Sequence, residues 1–176
     1  MGSVGTLAFM AEVVLRCHPC PEVEAWWRSD PGSQVDPFRL HASLYRPLSI
    51  LWDGRSVWVG LAGHRADVAE QARAGLGASG AFTAAAGPPP MPAAGRRSLP
   101  AAALQDLPQV AGVGGWVAEV GVGVVHCDET VVAALPVLAA ATGVVELHRR
   151  IKGRFDPSGR LNPGRSPLAV QAVAAR

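Results

Sequence analysis

Cys17-His18-Pro19-Cys20 is the first stretch of the chain whose residue types could do chemistry. Its thiols stand at the spacing of a redox dithiol, and with His126 and Cys127 they could offer four soft ligands to zinc. A thioredoxin-type dithiol should open a helix after a strand, and a structural zinc site usually shows two well-spaced ligand pairs. Adjacent His126 and Cys127 are poorly placed to chelate one ion. Ordinary reduced cysteines are therefore the preferred reading, with a thiol or zinc protein using Cys17 and Cys20 as an alternative and no metal site assigned. Gly112-Val113-Gly114-Gly115 is glycine-rich, but a dinucleotide fingerprint needs a strand before it and a helix after it, and here a strand-like run follows. Trp26, Trp27, Trp52, Trp58 and Trp116 read as core or interface packing rather than a ligand cage.

Charge narrows the partners. The 176 residues carry a formal net charge of +2, yet Arg149, Arg150, Lys152, Arg154, Arg160 and Arg165 crowd the tail with only Glu146 and Asp156 against them. A solvated helix face is the plainer explanation; an anion-facing or partner-facing surface is the functional one. Phe155 is the one aromatic residue among these cations and no known reader motif appears, which argues against nucleic acid. No apolar run reaches the length of about 18 residues that a membrane span needs, and residues 5–10 make a poor signal peptide, so a cytoplasmic location is expected.

Several elements must position these residues. Residues 6–16 read as a buried strand, and residues 21–29, opening on Pro21 with early Glu22 and Glu24, as a short helix bearing Trp26 and Trp27. Two apolar runs over residues 48–61 flank Asp53-Gly54, which predicts a hairpin with a type I′ turn. Pairing Trp52 with Arg55 sets Ile50 opposite Val57 and Leu48 opposite Val59. A helix over residues 64–76, with Ala66, Ala69, Ala72 and Leu76 on one face and Gly77 ending it, would cover that hairpin. Residues 78–100 collapse to Ala, Gly, Pro and Ser and read as a loop. One strand or two short ones are expected over 115–126, then helices over 129–141 and 144–154, the second with Val144, Leu147, Ile151 and Phe155 on one face. The order implies an α+β fold, an antiparallel sheet with helices on one face, close to ferredoxin-like.

Residues 150–165 run from a basic helix through Asp156-Pro157 to Asn162-Pro163-Gly164-Arg165. This segment resembles the C-terminal signature of FAD-linked oxidases of the vanillyl-alcohol oxidase type. Residues 3–16 resemble the last strand of that family's flavin domain. Arg46-Pro47, Leu51-Trp52-Asp53-Gly54 and Leu61-Ala62-Gly63-His64, with Asp67-Val68 following, are most similar to the glycolate oxidase FAD-binding subunit. The resemblance implies residues 1–20 as the terminal strand of an otherwise missing FAD-binding domain, 21–155 as a cap or substrate domain and 156–176 as a tail. It implies FAD as cofactor in the full-length context, Asn162 and Arg165 as cofactor-binding residues, and a flavin-domain chain or other oxidase subunit as partner. No Gly-rich phosphate loop precedes residue 1, so the chain is expected to be inactive alone and to hold no FAD. A partner-binding module derived from that enzyme is the alternative. Gly121-Val122-Gly123-Val124-Val125-His126 falls where catalytic relatives carry an Asp and an Asn around paired glycines. Valines replace both, which would leave His126 without orienting neighbours and without an assigned catalytic role.

Overall fold

The computed structural model describes residues 7–8, 11–15, 19–77, 81–135 and 140–165. The chain divides into two compact units, one of residues 18–136 and one of residues 1–17 with 137–176.

The larger unit opens with β1, Val23–Ser29, where a helix is expected from the sequence. Bulky indoles alternate well across a pleated strand, and this strand is paired on both sides, by β3 and β4. Trp26 and Trp27 thereby point to opposite faces. A helix the sequence does not announce, α1 (Pro37–Ser43), follows, its first turn capped by Asp36, which accepts from Phe38 and Arg39 N–H.

The hairpin forms as β2 (Ser49–Trp52) and β3 (Val57–Gly63), with Trp52 opposite Val57 and Ile50 opposite Val59. The register is two residues from the expected one. Asp53 Oδ1 accepts from both Arg55 N and Ser56 N, building a wider loop over residues 53–56 in which only Gly54 has positive φ. Because a shift of two preserves facing, the same residues still turn to the core. α2 (Arg65–Gln71) then runs into a π-helical turn, Ala72–Leu76. Its buried face is Val68 and Leu76 with Ala72 beside them, whereas Ala66 and Ala69 are exposed. Gly77 has φ −67° and is not a left-handed cap. Glu22 anchors the start of α2 instead: its carboxylate accepts from Arg65 N and meets His64 Nδ1 at 3.0 Å. The Arg65 N–H and then His64 hold Glu22 below the usual carboxylate range, and Glu22 raises His64 in return.

Residues 78–100, expected as a loop, contribute two strands, β4 (Phe82–Ala85) and β5 (Gly95–Ser98). Little in their composition marks them as strands. They are recruited by pairing, β4 onto β1 and β5 onto β7. Two short helices, α3 (Ala101–Gln105) and α4 (Leu107–Ala111), bury Leu104 and Leu107. Two short strands, β6 (Trp116–Glu119) and β7 (Val124–Cys127), then form a hairpin, and α5 (Glu129–Ala134) follows, capped by Asp128. The helix expected over 129–141 ends at Ala134, where Leu135 turns extended; residues 136–139 lie outside the described residues, and 140–141 are not helical.

All seven strands make one antiparallel sheet in the order β4-β1-β3-β2-β6-β7-β5. The first six elements follow a β-α-β-β-α-β sequence in which β4-β1-β3-β2 lie side by side. On one sheet face, Ile50, Val59 and Leu61 pack with Leu40, Val68 and Leu76, and Trp116, Ala118 and Val125 pack with Leu104, Leu107 and Val131. Each described helix of this unit contributes buried residues to that face. The opposite face carries a small cluster of Leu51, Trp58 and Val117 with Trp26 against it, all supplied by strands.

The smaller unit corrects one expectation. Described residues 7–8 and 11–15 form no strand, and Val13, Val14 and Leu15 are exposed. An apolar extended segment becomes a strand only when a neighbour completes its ladder, and none of the described strands pairs with it. Helix α6 (Thr142–Phe155) matches its expected position, but none of its residues is buried.

Candidate functional site

The helix-free face of the sheet gathers the polar chemistry of the larger unit. Cross-strand registers put Arg28 opposite Trp58, Trp58 opposite Leu51, and Leu51 opposite Glu119. In the next row His126 lies between Val117 and Arg96. The Arg28 guanidinium sits 5.0 Å from the Trp58 ring centroid, a cation–π contact, and reaches Ser56 Oγ at 3.4 Å. Trp26 lies over Gly60, where a Cβ would come within 2.8 Å of the indole. Glu24 Oε1 accepts from the Trp26 indole N–H at 2.8 Å and fixes the ring in that pose.

His126 is not isolated. Its Nε2 lies 2.6 Å from Glu119 Oε1, with both side chains largely shielded at 16% and 26% exposure. The hairpin turn makes this possible: Gly123, with φ +75°, closes residues 120–123 so that positions 119 and 126 become diagonal neighbours on one face. An ionised carboxylate only accepts, so Nε2 carries the hydrogen and Nδ1 presents a lone pair when the ring is neutral, or a second N–H when it is protonated. The expectation that His126 lacks an orienting neighbour is thus overturned by Glu119, seven residues upstream. Long-range ¹H–¹⁵N spectra of the wild type should show the neutral ring as the Nε2–H tautomer. Glu119→Ala should remove that bias; an unchanged tautomer ratio would show that the pair does not orient the ring.

Of the cysteines among the described residues, Cys20 and Cys127 are not brought together. Cys20 is exposed, while Cys127 is fully buried among the core residues beneath β6 and β7. Burial pushes the Cys127 thiol up, with the charge of Arg97 acting the other way, which leaves it an inert core residue. Cys17 and His18 lie outside the described residues. Among the described residues no group of three or more His, Cys, Asp or Glu side chains is arranged to hold a metal ion. Gly112 to Gly115 lies between helix α4 and strand β6, the reverse of the strand-loop-helix order that cradles a pyrophosphate.

Asn162 and Arg165 belong to the smaller unit and stand at the two ends of one turn, in which Arg165 N donates to Asn162 O at 3.2 Å. Asn162 takes a left-handed φ of 44°, a conformation asparagine tolerates better than most residues. Both residues are exposed. The turn is held from behind by Asp156, which the sequence marks only as a helix stop. Its carboxylate accepts from Lys152 Nζ at 2.5 Å, Leu161 N at 2.9 Å and Arg160 N at 3.0 Å, and Lys152 also donates to Leu161 O. The Lys152 hydrogen bond, followed by the Leu161 N–H, lowers Asp156 from 3.8 to about 2. A carboxylate depressed in the folded state contributes stability that is complete above its unfolded pKa and is lost as pH falls through the folded one. The turn over 156–165 should therefore stay ordered down to about pH 4 and loosen between there and about pH 2. Amide shifts of Arg160 and Leu161 followed by NMR test this, and a midpoint near 4 would show that the Lys152 contact is not made.

Comparison with protein-family models, curated proteins and solved structures returned no significant match. No helix among the described residues is long and apolar enough to cross a membrane.

Proposed function

We propose that this chain is the C-terminal part of an FAD-linked oxidoreductase similar to the glycolate oxidase FAD-binding subunit, and that its sheet closes over a flavin held by residues outside this sequence. The observation that supports this reading is the sheet face opposite the described helices of the larger unit, on which Trp26, Arg28, Trp58, Arg96 and the Glu119–His126 pair lie on one side. Aromatic, guanidinium and imidazole groups are the types that cover a planar ring and orient an anionic substrate beside it. The β-α-β-β-α-β order with β4-β1-β3-β2 adjacent is what a ferredoxin-like cap requires, and it favours the same reading.

In this reading the flavin supplies the redox chemistry. The chain's own residues cover, orient and exclude water. The phosphates of FAD find no cradle at Gly112 to Gly115, so retention of the cofactor falls to the partner polypeptide, with Asn162 offering an amide and Arg165 a charge from the tail turn.

The purified chain should show no flavin absorbance and should not oxidise glycolate or lactate with an artificial electron acceptor. When a flavin domain of the glycolate oxidase type is supplied as a separate chain, FAD retention should rise. Asn162→Ala and Arg165→Ala should each weaken it roughly tenfold, the equivalent of about 1.4 kcal/mol, without moving the melting temperature of the chain alone. Stoichiometric FAD on the isolated chain would sink this reading, and equal retention by wild type and both variants would remove the tail from it.

A further inference from the structure

We propose that α6 is a docking surface for an acidic amphipathic helix of a partner protein. Val144, Leu147, Ile151 and Phe155 form a single apolar seam along this helix, and three of them are 49%, 52% and 66% exposed, Val144, Leu147 and Phe155 respectively. Isolated helices of about 12–15 residues are marginal in water. α6 has 14 residues with none of them buried, and among the described residues most of this seam stays open.

Leu147, Ile151 and Phe155 share an open, shallow surface of the helix with Arg150, Gly153 and Arg154. A Cβ at Gly153 would meet nothing within 4 Å, so another backbone can approach the seam closely there.

Charge selects the occupant. Arg149 is occupied by Glu146 at 2.7 Å and Lys152 by Asp156, so two of the helix's cations are already neutralised. Arg150 and Arg154, the two that flank the seam, have no carboxylate partner among the described residues. A partner with apolar side chains for the seam and carboxylates flanking them satisfies both features. A bilayer fits less well. Helices that lie in a membrane interface present a wide apolar face, whereas this seam is broader than one residue only at Val144 and Val145.

The test uses the full chain and a synthetic helical peptide with a leucine seam flanked by glutamates, measured by fluorescence anisotropy. The acidic peptide should bind, and a sequence-scrambled peptide of equal composition should not. Ile151→Asp should abolish binding. Arg150→Glu with Arg154→Glu should weaken it at least tenfold, and exchanging the peptide's glutamates for lysines should restore affinity for that double variant. Restoration separates a lost contact from a misfolded chain. Absence of binding to the acidic peptide, equal binding to the scramble, or preferential binding to phosphatidylserine vesicles would overturn the proposal. None of these outcomes depends on flavin, so they leave the oxidoreductase reading to its own test.

Discussion

Trp116→Ala is expected to lower the unfolding free energy by about 3–5 kcal/mol, the cost of deleting a buried aromatic side chain. Trp116 is 1% exposed and lies at the junction of several contacts. Its ring meets Trp52 edge-on at 5.2 Å and lies over Gly54, where a Cβ would approach to 3.1 Å. Its indole N–H donates to Gly112 O at 2.9 Å, so truncation both opens a cavity and strips a carbonyl of its donor. Against a total stability of about 5–15 kcal/mol for an ordinary domain, that is a large share. Urea unfolding followed by circular dichroism measures it. Trp116→Phe should cost less, because it keeps a ring and loses chiefly the hydrogen bond. A loss under about 1 kcal/mol for the alanine variant would mean that the site collapses around the missing ring.

Gly123→Ala is expected to be nearly as damaging, through the backbone. Gly123 has φ +75°, and a Cβ there would stand 2.6 Å from Leu99 O. The same stretch is fastened on both sides, with Leu99 N donating to Gly123 O and Gly123 N to Glu119 O. A carbonyl held in place cannot swing aside as the end of a flexible side chain can. The left-handed conformation costs a residue with a Cβ about 1–2 kcal/mol, and the overlap adds about 1–3 kcal/mol. Gly87→Ala makes the control, since its Cβ would meet nothing within 4 Å. Thermal melts of the two variants should differ clearly. Equal melting temperatures would show that the 120–123 turn rearranges freely.

Where a local pattern sufficed, the sequence was legible. The hairpin around Asp53-Gly54, the two short strands over 115–126 and the start and end of α6 all follow from alternation, turn residues and the Asp156-Pro157 stop. The register of the hairpin escapes a dipeptide rule because the Asp53 side chain, hydrogen-bonded to Arg55 N and Ser56 N, builds the wider loop. At β1, Pro21 and two glutamates mimic a helix start, while the pairing that makes it a central strand comes from residues 57–63 and 82–85. β4 and β5 were hidden for the same reason: Gly95-Arg96-Arg97-Ser98 has no strand signature, and only contact with β7 makes it one. The candidate face was the least legible part. It assembles Arg28, Glu119, His126 and Arg96 through strand order alone, although the spacing from Glu119 to His126 across two glycines was a usable signal.

The junction of β2 with β6 has a consequence for how the larger unit opens. Only Leu51 with Glu119 and Trp52 with Ala118 are in register there, extended by Val120 N donating to Ile50 O, while β1 and β3 share six register pairs. A main hydrophobic cluster lies on each side of this seam, Phe38 and Trp52 pack against both, and the seam is bridged by Val120 on that face and by Val117 with Leu51 and Trp58 on the other. Such an arrangement divides the unit into two foldons, residues 23–85 and 95–135, that can part without either losing its own helices. Amide hydrogens along the seam, that of Val120 above all, then exchange with solvent at the free energy of this partial separation, below that of global unfolding. The aromatic pair that crosses the seam, Trp52 and Trp116 in T-shaped contact at 5.2 Å, becomes the hinge pin whose packing sets how often the sheet parts.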